Sequence, residues 1–179
     1  MRKVKDTMAM IVDYQERMMP VIHRNEEIIK NATILIKGLK ALDVPMMITQ
    51  QYTKGLGMTV APIFAAAETE NYFEKMTFSS FRDEKTAAQI RNHQRKNVIV
   101  CGVEAHICVL QTCLDLKENG YAPILVLDCI GSRKQSNVEM TITRAIQEGI
   151  TVTSYESILF ELMERADIEA FRTVSKLVR

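Results

Sequence analysis

The sequence carries almost no excess of charge. Lys and Arg number 23 against 22 Asp and Glu, a formal net charge of +1, and no basic run concentrates the positive residues. Binding to nucleic acid or to an anionic membrane is therefore not expected. No apolar stretch approaches the roughly 18 residues that a membrane helix needs. Met1–Lys5 is basic, but Thr7–Val12 is too short for the apolar part of a signal peptide and runs straight into Asp13. The four cysteines lack paired spacing, which fits a reducing compartment better than a disulfide framework. A cytoplasmic protein is expected. No G-x-G-x-x-G or P-loop pattern follows any apolar run, so nothing offers a nucleotide phosphate a cradle. Repeats, linkers and low-complexity segments are missing. A chain of 179 residues, 47% of them apolar, can bury a full core, and one domain spanning 1–179 is expected.

What the chain does have is one distinctive stretch, N-V-I-V-C-G-V-E-A-H-I-C-V-L-Q-T-C-L at Asn97–Leu114. Asn97–Cys101 is a short β-branched run of the kind that forms a buried strand. Gly102 breaks it, and a helical pattern with Ile107, Leu110, Leu114 and Leu116 on one face follows. Strand, glycine, loop and helix present a reactive group at the carboxyl edge of an α/β sheet. The group presented is Cys108, in the first helical turn, where the partial positive charge of a helix N-terminus would stabilise a thiolate. Cys108 is the candidate nucleophile.

The remaining chain alternates between the two kinds of element. Strands are expected at Thr7–Asp13, Met46–Thr49, Asn71–Lys75, Asn97–Cys101, Ala122–Leu127 and Ile150–Thr153. Helices are expected at Asn25–Leu42, Asp83–Gln94, the segment after Cys108 up to Asn119-Gly120, Asn137–Glu148, Ser154–Glu164 and Ala166–Leu177. The last of these is available to pack on a partner subunit. Gly55, Gly57 and Pro62 argue for a long loop over Gln50–Glu70. This alternation predicts an α/β fold, a doubly wound and mostly parallel sheet with helices on both faces. In the strand order 3-2-1-4-5-6 the first strand lies beside the fourth. Asp13 and Cys108 would then face each other across the switch-point crevice, where ligands bind.

Cys108 needs activation, because a free thiol is mostly protonated near neutral pH. His106 is two residues from Cys108 and should point elsewhere, while His23 and His93 fall in a loop and on a surface helix. A carboxylate with a cation remains: Asp13 to take the thiol proton, and Lys75 to favour the thiolate and hold the carboxylate. Taken alone, Asp13 reads as a turn residue and Lys75 as a solvated lysine.

Together these residues resemble the isochorismatase-like cysteine hydrolases, which include nicotinamidases and carbamoylsarcosine amidohydrolases. The resemblance runs over nearly the whole chain. It rests on I-V-D-Y-Q at Asp13, K-M-T-F-S-S-F at Lys75 and G-V-E-A-H-I-C-V-L-Q-T at Cys108, with support from T-Q-Q-Y-T-K-G-L-G, D-C-I-G-S-R and S-Y-E-S-I-L-F-E-L. It implies a catalytic triad at Asp13, Lys75 and Cys108, and a cis peptide at Val103–Glu104. It also implies an oxyanion hole from the backbone N–H groups of Glu104 and Cys108. The implied reaction cleaves the C–N bond of a small amide or carbamate-like substrate through a Cys108 thioester, and a homo-oligomer is implied. Nicotinamidases carry an Asp-x-His metal motif after the second strand. Here that region reads Thr49-Gln50-Gln51-Tyr52, so neither a metal nor another cofactor is expected. Gln15, Gln51, Tyr52, Phe78 and Phe81 are the candidate pocket residues. Cys101, Cys113 and Cys129 read as core. The alternative is a non-catalytic oligomeric binding protein that retains the fold. A redox role for Cys108 ranks below both, because no C-x-x-C partner is present.

Overall fold

The computed structural model describes all residues 1–179. Six strands form one sheet: β1 (Thr7–Val12), β2 (Met46–Gln51), β3 (Phe73–Lys75), β4 (Asn97–Val103), β5 (Ala122–Gly131) and β6 (Thr151–Thr153). Their spatial order is β3-β2-β1-β4-β5-β6 and every pairing is parallel. The chain therefore winds outward in both directions from the junction of β1 and β4, as the alternation predicts.

The helices are α1 (Asn25–Ala41), α2 (Thr53–Leu56), α3 (Ala61–Ala67), α4 (Glu84–Asn92), α5 (Leu110–Glu118), α6 (Gln135–Gln147), α7 (Tyr155–Met163) and α8 (Glu169–Leu177). They divide between the two faces of the sheet. Ala9 and Ile11 of β1 join a core with α1, α3, α7 and α8, whereas Met8, Met10 and Val12 join a second core with α4, α5 and α6. This alternation is the period of two of a strand buried on both faces, and it explains why β1 is continuously apolar.

Two expectations change. The Gln50–Glu70 segment contains α2 and α3 rather than one irregular loop. Pro62 sits in the first turn of α3, where its missing N–H costs nothing, so it starts that helix. The C-terminal helix α8 packs on α1 of the same chain with Val174 fully buried, so its apolar face is used internally. No helix is long and apolar enough to cross a membrane.

Gly102 fixes the central junction. It pairs with Val12 across the β1–β4 ladder, beside an irregularity in the β4–β5 register. A Cβ on Gly102 would lie 2.6 Å from Val12 Cβ and closer still to the Val12 carbonyl oxygen. Only glycine lets the two central strands approach this closely at their carboxyl ends.

Candidate active site

The carboxyl end of β1 delivers Asp13. This residue takes a left-handed backbone conformation, φ 58°, and its N–H donates to the Thr49 carbonyl at 3.1 Å. Its side chain is held at both oxygens. Thr49 Oγ1 donates to Oδ1 at 2.9 Å, and Lys75 Nζ donates to Oδ2 at 2.7 Å. Lys75, the last residue of β3, is fully buried, and its ammonium also donates to the carbonyls of Thr77 at 3.3 Å and Phe78 at 3.2 Å. The three acceptors match the three N–H bonds of the ammonium. That matching is what allows a lysine to be desolvated while charged.

On the other side of the β1–β4 junction, Glu104 leaves β4 at φ 52° and opens a π-helical turn, Ala105–Val109, that leads into α5. Cys108 sits in that turn and is almost fully buried. The expected cis peptide at Val103–Glu104 is absent, since the chain has none. The left-handed conformation at Glu104 reverses the chain instead.

A second expectation also changes. Burial pushes the Cys108 thiol up to about 12, with the negative charge of Asp13 acting in the same direction and Lys75 opposing both. In this site desolvation outweighs the helix terminus, so the resting group is a thiol with a carboxylate acceptor beside it.

Asp13 and Cys108 line one cleft of about 380 Å³, with Glu104, Gln51, Phe78 and Arg133 among its other walls. Met18, Val21, Leu56, Val103 and Ile107 make most of the lining apolar. Of the candidate pocket residues, Gln51 and Phe78 stand on the wall. Gln15 does not. It is buried, and its amide is occupied by the Gln51 N–H at 2.7 Å, the Gln51 carbonyl at 2.9 Å and the Gly57 carbonyl at 2.8 Å. It clamps the segment after β2 to the end of β1. Phe81 packs edge to face on Tyr121 with ring centroids 5.7 Å apart, inside the core. Tyr52 is half exposed and lies outside the cleft wall.

Two groups that sequence reasoning did not place in the cleft belong there. The buried Glu104 carboxylate pairs with Arg133, Nε to Oε1 at 3.1 Å and the second nitrogen to Oε2 at 3.3 Å. The signal for Arg133 was present in D-C-I-G-S-R, whose first four residues end β5 and whose arginine follows two residues beyond it. His106 points away from Cys108, with Nδ1 3.0 Å from Ser132 Oγ and Nε2 3.2 Å from Asn137 Nδ2. No group of three or more His, Cys, Asp or Glu side chains is arranged to hold a metal ion.

Known proteins share this framework. A family model described as the Isochorismatase domain matches residues 7–157. The chain is 36% identical over 173 residues to the secreted isochorismatase effector Isc1 of Phytophthora sojae, covering 94% of this chain and 82% of that protein. It is 30% identical to isochorismatase domain-containing protein 2 of Danio rerio, covering 97% and 87% of the two chains. A structure described as the MAR1 ribonuclease of Caenorhabditis elegans superposes with a TM-score of 0.92 at 32% identity, over 99% of this chain and 91% of that one. The Escherichia coli YcaC product, described as an octameric hydrolase of unknown specificity, reaches a TM-score of 0.92 at 19% identity, over 98% and 89% of the two chains. With the doubly wound sheet and the cleft at its switch point already in view, these matches place the chain in the isochorismatase family.

Proposed function

We propose that the protein is a cofactor-free cysteine hydrolase that cleaves the C–N bond of a small amide or carbamate-like substrate. The observation that carries this reading is the buried Asp13–Lys75 pair standing beside a buried Cys108 thiol in one cleft. Because the thiol is protonated at rest, attack and deprotonation are coupled. As the bond from Cys108 Sγ to the substrate carbonyl carbon forms, the thiol proton moves to Asp13. The backbone N–H groups of Glu104 and Cys108 receive the developing oxyanion. Asp13 then gives its proton to the leaving nitrogen, the C–N bond breaks, and an amine departs from a Cys108 thioester. Water, deprotonated by Asp13, hydrolyses the thioester and restores the thiol.

Lys75 holds one Asp13 carboxylate oxygen in position through this cycle, and Thr49 fixes the other. The reading includes a small-molecule substrate and a homo-oligomer, and the exposed apolar Val21, Met76 and Phe78 are surface that a neighbouring subunit would cover. It also includes a reducing, cytoplasmic location, supported by four cysteines that are all free.

The test is intact-mass detection of a Cys108 acyl adduct during turnover of a panel of short amides. Short RNA is assayed separately for strand cleavage, because the C. elegans protein is described as a ribonuclease. An adduct that forms in the wild type and vanishes in Cys108→Ala together with turnover supports the proposal. Turnover surviving in Cys108→Ala overturns it, and a wild type that neither turns over nor forms an adduct with any compound favours the non-catalytic oligomeric binding protein.

A further inference from the structure

The charged side chains on the cleft wall are matched before any ligand arrives. Asp13 is held by Lys75 and Thr49, and Glu104 by Arg133. What remains is a neutral acceptor. Gln51 lines the cleft, and its Oε1 is buried without a hydrogen-bond partner. Its Nε2 donates to the Met76 carbonyl at 3.2 Å, which settles which way round the amide lies. Its backbone N–H and carbonyl are both taken by the Gln15 side chain, so the residue is clamped in place. A buried acceptor that no donor reaches is costly, and a ligand N–H would relieve that cost.

The position of Gln51 says which ligand N–H this is. Thr49 and Gln51 are two residues apart on β2, so their side chains share one face of the sheet. Thr49 touches Asp13, and Gln51 pairs with Lys75 across the β2–β3 ladder. Gln51 therefore stands on the Asp13 side of the cleft, where the leaving nitrogen must receive its proton.

We propose that Gln51 Oε1 accepts an N–H of the scissile amide, and that the substrate is an uncharged carboxamide with at least one N–H and a small apolar acyl group. This deepens the cysteine-hydrolase reading and rests on it. The acyl group lodges against Met18, Leu56 and Phe78. The nitrogen, anchored through its own N–H, turns toward Asp13. The chemistry balances as before: the Cys108 Sγ–carbon bond forms, the carbon–nitrogen bond breaks, the thiol proton leaves on the nitrogen as ammonia or a primary amine, and water releases the acid. A substrate carboxylate finds no unpaired cation on this wall.

The test uses the intact protein with isobutyramide, N,N-dimethylisobutyramide, methyl isobutyrate and succinamate. The wild type is expected to hydrolyse isobutyramide and the ester, and to leave the dimethylamide and succinamate largely untouched. In Gln51→Met the amide-to-ester ratio of kcat/KM falls about tenfold, as expected for losing one hydrogen bond. An unchanged ratio overturns the role of Gln51. Should the variant not fold, the wild type alone decides, because dimethylamide hydrolysis equal to that of isobutyramide also overturns it. Preference for succinamate overturns the substrate class. Ester hydrolysis without isobutyramide hydrolysis rejects the inference while the hydrolase reading stands. Absence of a Cys108 acyl adduct with every compound rejects both.

Discussion

Asp13 and Lys75 meet at 2.7 Å with their side chains 4% and 0% exposed, so each is the other's main substitute for water. Removing one partner leaves a bare charge in the core. Lys75→Met should cost about 3–5 kcal/mol of folding stability. Converting Asp13→Asn in the same chain should return part of that loss, since no charge then stays buried. Urea denaturation of the wild type, the two single variants and the double variant closes the cycle. Additive losses would show that the pair is not coupled.

The same pair governs the thiol. Asp13 raises the Cys108 pKa and Lys75 lowers it. Replacing Asp13 with Asn removes the negative neighbour and leaves the cation uncompensated, and both changes favour thiolate. Alkylation of Cys108 by iodoacetamide should therefore become faster in Asp13→Asn at a fixed pH near 8, while turnover drops by about 10²–10⁴ through loss of the proton carrier. Lys75→Met should slow alkylation. In the wild type the rate should climb with pH and show no plateau up to about pH 10, since the folded thiol lies far above the ordinary ~8.5. Labelling resolved by mass spectrometry reports each case, and a wild-type plateau near neutrality would contradict the assignment.

Burial also ties the thiols to stability. Cys101, Cys108 and Cys113 are each pushed up to about 12, chiefly by desolvation. A thiol whose pKa is raised by folding favours the folded state fully below the unfolded value, and that contribution disappears as pH climbs toward the folded value. The urea midpoint should hold up to about pH 8 and fall steeply between about pH 9 and pH 11. Cys101→Ala and Cys113→Ala together should flatten the alkaline slope.

Gly102 is expected to be irreplaceable. In Gly102→Ala the new methyl meets the Val12 backbone of β1, which cannot yield without parting β1 from β4. Overpacking of this kind costs about 1–3 kcal/mol. Because the displaced strands carry Asp13 and lead to Cys108, kcat should fall more than stability does. Thermal unfolding and steady-state kinetics on the same preparation separate the two effects.

The sheet order was legible because the central runs of β1, β4 and β5 are largely buried on both faces and each is followed by an amphipathic helix. Cys108 was legible because a glycine interrupts such a run just before a helix. Other features were not. Helices as short as α2 and α3 are too brief for periodicity to register against Gly55 and Gly57. The carboxyl half of β5 hid behind Asp128-Cys129-Ile130-Gly131, which reads as a turn but continues the ladder with β4. Lys75 alone reads as a solvated lysine; only its pairing with Asp13 and the family resemblance single it out, since its carboxylate acceptor lies 62 residues away and its two carbonyl acceptors depend on how the following loop turns. Gln15 and Phe81 lie beside functional residues in sequence, yet adjacency gives no direction: one is consumed by backbone, the other by the core. The thiol's protonation state depends on how deeply the π-helical turn sinks into the sheet edge, and no spacing rule reports depth.

β3 is only three residues long and forms an outer edge of the sheet, paired to β2 alone. The ammonium that holds the Asp13 carboxylate is thus mounted on a short edge strand, while its partner follows directly on a central one. Short edge elements open locally at lower free energy than the core. If the proposed hydrolase reading holds, moderate heating should therefore detach β3 reversibly and end turnover at temperatures where the remaining sheet is intact, so that the temperature optimum is set by a three-residue ribbon and not by the melting of the whole fold.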